Sequence, residues 1–435
     1  TVTLGSGASQ SGFGRTGTVD WQTTKKTSDF TAVNGEGYFV DTGGGAVTAT
    51  LPASPSAGNI VYIKDYDGNF GTAACTIARN GSNIRGEASD FSLEKNNAGA
   101  VFIYVDATEG WQVFVDGSDA DAQQTFISAT GGTVTTCGNF KIHTFTGPGT
   151  FCVASVGCAG SNDKVDYIVV AGGGAGGTGA SNNTGKMGGG GAGGFRESHS
   201  DSVSGPYTAS PLATTSLSVS ATAFPITVGS GGAAAPTSSQ TEGANGSNSI
   251  FSTITSTGGG GGGASNPGNA GQNGGSGGGG AYDTSVAGGS GNTPPVSPSQ
   301  GNNGGNGIPA SPYSAGGGGG ATAVGVAGSD PPSASGPGGA GATTSISGSP
   351  TAYAGGGGGS GKSFAPTIST KGSGGVGGGG AGGCRTGTCS STAGVAGTTN
   401  TGGGGGAGNP GSGNPAGSVA GSGGSGIVII RYRYQ

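Results

Sequence analysis

Gly258-Gly-Gly-Gly-Gly-Gly263, entered from Thr257 and left through Ala264, is six glycines without interruption. Runs of four or five recur at 188–191, 277–280, 316–320, 355–359, 377–380 and 402–406, and glycine supplies 108 of the 435 residues. Glycine loses more backbone freedom on folding than any other residue, so such runs ordinarily mark a flexible linker. From Gly258 onward, however, a Gly-rich segment begins about every 20 residues, and a fixed period signals a repeat architecture. Collagen does not fit, because it uses glycine at every third position and not five in a row. Polyglycine II does fit: a helix of three residues per turn, rising about 3.1 Å per residue, without internal hydrogen bonds. Its N–H and C=O groups point outward and must pair with neighbouring helices once buried. A helix surrounded on every side has no room for a Cβ and must be glycine throughout; a helix at the edge needs glycine on fewer faces. Ordering costs about 1–2 kcal/mol per residue. Dense inter-helix hydrogen bonds of about 1 kcal/mol net each, with Cα–H···O contacts, offset it.

Outward from the runs lie strands. Val165-Asp-Tyr-Ile-Val-Val170 leads straight into Ala171-Gly-Gly-Gly174, and Ile427-Val-Ile-Ile-Arg-Tyr-Arg-Tyr434 follows the last Gly-rich stretch. One sandwich that opens into the glycine region and closes again accounts for both. Residues 18–117 read as an ordinary β module. Short apolar or alternating runs at Tyr38–Asp41, Ala46–Leu51, Ile60–Asp65, Thr76–Arg79, Val101–Val105 and Trp111–Val115 are separated by turn signals, the pattern of a sandwich or jelly roll. The expected organisation is a junction at 1–17, a β-sandwich module at 18–117, a polar connector at 118–125 and a glycine-rich domain at 126–435. Within the last, 126–257 and 427–434 form the sandwich base and 258–426 the polyglycine-II array. The fold class is all-β with almost no α-helix, since helix formers are scarce and no 3.6-residue period is sustained.

Charged residues make up 9% of the chain and the net charge is −5. Residues 1–170 carry 9 basic and 16 acidic side chains, and no basic face of the kind that binds nucleic acid is visible. No run of 18 apolar residues occurs, which argues against a membrane-spanning helix. No basic, then apolar, leader follows Thr1, so no signal peptide is expected. Six cysteines are few for a disulfide scaffold. Cys137 and Cys158 flank an expected hairpin with strands at 141–145 and 150–153 around Gly147-Pro-Gly149, within one register step of each other. Cys384 and Cys389 lie close together in a Gly-rich loop. Both pairs are candidate disulfides. Neither His143 nor His199 has metal-ligand spacing to a cysteine pair, which argues against zinc.

Four segments carry a family resemblance. Asp166-Tyr-Ile-Val-Val-Ala-Gly-Gly-Gly174, Gly190-Gly-Ala-Gly-Gly-Phe-Arg-Glu197, Pro225-Ile-Thr-Val-Gly-Ser-Gly-Gly232 and Gly426-Ile-Val-Ile-Ile-Arg-Tyr432 resemble the glycine-rich domains of bacteriophage tail fibres and tail-tip adhesins. Upstream, Val19-Asp-Trp-Gln22, Gly35-Glu-Gly-Tyr-Phe-Val-Asp41 and Thr50-Leu-Pro-Ala-Ser-Pro-Ser-Ala-Gly-Asn-Ile-Val61 look like the β modules of marine phage tail fibres. Together the two cover most of the chain. In adhesins of this type, packed polyglycine helices carry variable loops at their tips, and those loops bind the host receptor. The resemblance implies a non-enzymatic, extracellular virion protein, often a homotrimer. Its partners would be a bacterial surface glycan or outer-membrane protein and other virion proteins, without nucleic acid, membrane insertion, cofactor or metal. No segment resembles a tail-attachment domain or a chaperone. Two other readings stand beside it. One is a purely structural neck or decoration fibre. The other is an ice-binding protein, whose flat polyglycine faces would order water through regularly spaced Thr, Ser and Ala; the irregular Pro- and Tyr-bearing loops argue against it.

Recognition is expected in the turns, because the helices themselves cannot vary. The candidates are Tyr282, Asp283, Tyr313, Tyr353, Lys362, Phe364 and Arg385, in different turns that could meet at one end of the array. Aromatic rings offer large contact area at low entropic cost; the alternative is that each ring covers the edge of the lattice. Other motifs have bland readings. Gly356-Gly-Gly-Gly-Ser-Gly-Lys-Ser363 matches the P-loop pattern but lacks the strand before it and the helix after it. His143 reads as a surface strand residue. The Ser198, His199, Ser200, Asp201 cluster offers triad residue types, but all are sequence neighbours, whereas triads are assembled from separate elements. Asp65 and Asp67 could chelate calcium, or simply build a polar turn.

Overall fold

The structure, a computed structural model, describes residues 19–115, 126–157, 163–179, 186–236, 240–264, 269–282, 287–308, 314–329, 334–362, 370–385, 392–408 and 419–435. The fold is all-β; the four-residue Asp201–Ser204 is the one α-helix among the described residues. Apart from a short stretch at 156–163, the chain divides into a unit ending at Phe126 and a unit beginning at Ile127.

In the first unit the chain alternates between two sheets. Asp20–Lys26, Glu36–Val40 and Ile60–Asp65 enter one; Phe30–Thr31, Val47–Thr50 and Cys75–Ala78 enter the other. Successive members of each sheet pair in parallel, so the chain winds as a coil. A jelly roll would be antiparallel throughout. Here the turn-rich links pass the chain from sheet to sheet, and Gly99–Asp106, Gly110–Val115 and Phe91–Leu93 add antiparallel pairs. Tyr38, Ile63, Phe102 and Trp111 from one sheet bury against Ala49, Ile77, Phe91 and Leu93 from the other. Phe91 and Phe102 meet edge to face with centroids 5.8 Å apart.

The second unit is built around the two strands that bracket the glycine region. Lys164–Val170 and Ile427–Arg433 pair antiparallel, from Asp166 opposite Arg431 to Val170 opposite Ile427. Phe140–Phe145 and Thr133–Cys137 extend this sheet on one side, Phe195–Ser198 and Ala213–Thr214 on the other. A second sheet holds Ser128–Thr130, Gly149–Ser155, Ala223–Thr227, Ser249–Phe251 and Ile254–Ser256. Phe151 and Phe251 of the second sheet meet Tyr432 and Tyr167 of the first, respectively, with centroids 6.1 Å apart in both pairs. The opposite face of the first sheet is covered by the hairpin Ala342–Thr344 and Thr351–Tyr353, with Ile346 between them. Burial on both faces is why the bracketing strands read as continuous apolar runs rather than alternating ones. The expected 141–153 hairpin does not form. Its two strands lie in different sheets, joined by an arch through Gly147-Pro148, because each pairs with a strand distant in sequence.

Beyond the bracketing strands the backbone makes a lattice. In segment 171–179, Gly172, Ala175 and Thr178 donate to Ser247, Ala244 and Thr241; Gly173 and Gly176 donate to Gly424 and Gly421; Gly174 and Gly177 donate to Gly191 and Gly188. Donors three residues apart face the same neighbour, which is the period of polyglycine II. Segment 186–194 is the centre: it donates to 257–263, 316–319 and 402–405 and accepts from 171–177, 276–279 and 357–360. These six neighbours ring it, and the remaining segments lie outside them. The lattice therefore begins at Ala171, well before the 258 boundary expected from the longest run.

The glycine runs sort by depth. Runs 188–191, 258–263, 277–280, 316–320, 355–359 and 402–406 are the centre and five of its six neighbours. The run 377–380 is the exception: Gly377 and Gly378 have φ of 103° and 93° and turn the chain between two outer segments. In outer segments glycine recurs every third residue. Gly325 and Gly328, like Gly394 and Gly397, face inward, where a Cβ would collide with a neighbouring segment, while Val324, Val326 and Val395 beside them are exposed. Glycine throughout is not obligatory inside: Ala175 and Ala192 are fully buried. Ala192 lies where the central helix meets the apolar side chains of Ile168 and Phe195, which accommodate its methyl.

Candidate functional site

The lattice has two ends. One meets the bracketing strands, through bonds such as Ala171 to Gly194, Gly194 to Thr257 and Gly402 to Ser425. At the other end, Gly177 N donates to Gly188 O, Gly408 N to Gly177 O, Ser360 N to Met187 O, Gly361 N to Gly383 O and Gly383 N to Ala407 O. Ile308 and Ser314 bridge to each other there, Ser335 N donates to Thr370 O, and Tyr282 N donates to Lys186 O at 3.2 Å. Lys186, at the end of the central helix, is 1% exposed. Its neighbour Met187 donates its N–H to Ser360 Oγ at 2.8 Å, and Ser335 Oγ donates to Ser360 O. Lys186, Met187 and Ser360 were not among the expected site residues; the visible sign was the abrupt start, with the long side chains of Lys186 and Met187, of a segment that is otherwise glycine and alanine.

The candidate recognition residues divide. Tyr282 is half-buried at the far end. Lys362 and Arg385 are register partners in the short parallel pair Gly361–Lys362 and Cys384–Arg385, so two cationic residues from separate turns stand on adjacent strands. Asp283, Tyr313 and Phe364 lie outside the described residues, but Tyr282, Ile308, Ser314 and Lys362, which flank them, are all at this end. Tyr353 departs from expectation. It lies 4% exposed in the hairpin over the first sheet, packed with Ile142, Ile168 and Ile429, and its ring faces core. It is a cover residue, because Thr351-Ala-Tyr353 pairs with Ala342–Thr344 instead of forming a tip turn. Cys384 is disulfide-bonded, and its expected partner Cys389 lies outside the described residues. Cys137 is a free, exposed thiol, and its expected partner Cys158 also lies outside the described residues.

A family model described as a glycine-rich domain matches residues 145–433. The chain belongs to the glycine-rich domain family. None of the curated proteins matches it. The match runs from Phe145 to Arg433, the final residue of the closing strand, so the glycine-rich domain comprises the bracketing strands and the whole lattice.

Within this glycine-rich domain the motif readings resolve physically. The P-loop-like stretch is a lattice helix. Gly356, Gly357, Gly358 and Gly359 donate to Gly339, Gly190, Gly380 and Gly336, so none of these four N–H groups is left to cradle a phosphate. His143 is fully buried, not on the surface: Nδ1 contacts Gly131 O at 2.7 Å, Nε2 contacts the Tyr432 hydroxyl at 3.0 Å, and burial lowers its pKa. Asp166, also fully buried, accepts from Ser198 Oγ, Ser204 Oγ, Ser216 Oγ and Ser200 N at 2.6–2.9 Å. That network pins the segment around the short helix to the sheet. His199 instead reaches Asp201 and packs against the Tyr207 ring, tilted 52° to it, so these serines, histidine and aspartate do not align as a triad. In the first unit, Asp65 accepts from the N–H groups of Gly68, Asn69, Phe70 and Asn97, which is the polar-turn reading.

Proposed function

We propose that this chain is a non-enzymatic bacteriophage tail-fibre protein or adhesin that attaches the virion to a bacterial surface glycan or outer-membrane protein. Contact is made by the turns at the lattice end remote from the bracketing strands. The observation that carries the reading is the convergence at that end of Tyr282, Lys362, Arg385 and the residues flanking Asp283, Tyr313 and Phe364. A glycine lattice cannot change inside without steric collision, so variation needed to follow a changing receptor is confined to the turns. Fixed interior and free termini are what a recognition scaffold requires. The purified protein, labelled and incubated with a panel of bacterial strains, is expected to bind a narrow subset, and isolated surface glycans or outer-membrane proteins from those strains should compete. Equal binding to all strains, or thermal hysteresis of freezing, would refute it.

A further inference from the structure

The outer face of the five-stranded sheet in the first unit carries a row that crosses every strand. Trp21 pairs with Gly37, Gly37 with Tyr62, Tyr62 with Val101 and Val101 with Phe114. The neighbouring positions Val61, Ile63, Phe102 and Trp111 point the other way, into the core. Gly37 has a specific purpose. A Cβ there would stand 2.6 Å from Val19 Cγ2 and 3.0 Å from the Trp21 ring, so its absence makes room for both side chains against the strand. The indole then stacks on Phe39, with centroids 4.7 Å apart and planes 25° apart, and meets Tyr62 at 4.8 Å and 62°. Trp21 remains 39% exposed and Phe114 60%. Four strand spacings make the row about 19 Å long.

We propose that this row is a binding platform for a neutral, β-1,4-linked pyranose chain, separate from the lattice end and independent of the reading given above. Such a chain is a flat ribbon whose sugar faces present C–H groups, and these stack on exposed aromatic faces. The partly exposed indole, held against Phe39 and Tyr62, offers one such face, and Phe114 offers another at the far end. Lys64, register partner of Phe39, and Gln112, two residues before Phe114, flank the row, held there by Lys64 Nζ donating to Asn97 O at 2.7 Å and Gln112 Nε2 donating to Glu109 Oε2 at 3.3 Å. A second copy of the chain is a poorer occupant. Aromatic residues bury about 150–250 Å² each when fully covered, so the exposed part of this row amounts to on the order of 300 Å². A stable protein interface needs about 800 Å² per partner.

The chain has two tryptophans, and Trp111 is fully buried, so a ligand-induced change in emission reports Trp21. Titration of the full chain with cellohexaose is expected to shift and saturate that emission. By calorimetry, Trp21→Ala and Phe114→Ala should each weaken binding by about tenfold or more, the loss of one aromatic contact. The unchanged buried emission of Trp111 in Trp21→Ala certifies the fold, and Tyr282→Ser should bind the sugar as the parent does. Absence of both heat and emission change at millimolar cellohexaose overturns the proposal, as does full affinity in Trp21→Ala. A change in Trp21 emission that follows protein concentration without sugar, with a dimer in sedimentation, overturns it in favour of self-association.

Discussion

Gly190 has no room for a side chain. It lies in the central helix, and a Cβ there would collide with the carbonyls of Gly174 and Ala175. Gly190→Val forces either that collision or the separation of two helices, and overpacking of this kind costs about 1–3 kcal/mol or more. Gly147, in the arch of the same unit, has nothing within 4 Å of its virtual Cβ. Thermal unfolding should therefore show Gly190→Val strongly destabilised and Gly147→Ala unchanged or slightly raised, by about 0.4–1 kcal/mol. His143 gives a second expectation at this scale. Burial lowers its pKa, so the folded protein resists its protonation. Its contribution is intact above the unfolded value of about 6.5 and is lost as pH falls below that value toward the folded pKa. Glu197 acts with the opposite sign: burial raises its carboxyl above 4.5, so protonation favours the fold. Melting temperature is expected to drop between pH 7 and 5, and the drop should flatten in His143→Gln.

Among elements, the lattice helices were the most legible in the sequence, because one physical rule decides them. Where neighbours surround a helix, no Cβ fits and the run is nearly all glycine; where they cover one side, glycine keeps only the period of three, as at Gly325 and Gly328. The bracketing strands were legible for a related reason, since burial on both faces leaves continuous apolar runs. The 141–153 stretch was not. Gly147-Pro-Gly149 is an equally good signal for a hairpin and for an arch between sheets, and the choice is made by partners nearly 290 residues away, as His143 and Tyr432 show. Parallel winding in the first unit was hidden likewise, because alternation marks a half-buried strand without its direction. Tertiary context also made the segment after Phe195–Ser198. Its polar residues look like loop composition, yet they converge on Asp166. Asp166→Ala leaves at least the Ser200 N–H without an acceptor in a buried site, and the serines must find others. A loss of about 3 kcal/mol or more is expected in denaturant unfolding, with earlier proteolysis in 198–216.

At the scale of the whole molecule, a strand pair opens into a lattice, and the chain returns to it after crossing the lattice many times. Each crossing delivers a turn to one of two ends, and the end remote from the strands collects positions far apart in sequence, as the pairing of Lys362 with Arg385 shows. Sequence spacing alone revealed the turns but could not tell which share an end, and for that reason Tyr353 was grouped with Tyr282. The two tyrosines now separate the recognition reading from lattice cover. Tyr353 is packed in the core over the first sheet, so Tyr353→Ser should lower stability by about 3 kcal/mol or more through the cavity it leaves, with attachment lost only in proportion to unfolding. The double variant Tyr282→Ser with Tyr313→Ser is expected to melt with the parent protein and to lose attachment to the susceptible bacterial strain, measured by retention of labelled protein on cells. Adding Lys362→Ser to the parent should weaken attachment more at low than at high salt if the receptor is anionic, since exposed charges are screened beyond a Debye length of about 10 Å at 0.1 M. Normal cell binding by the double variant would show that these rings cover the lattice, and the receptor contact would then have to be sought outside the far end.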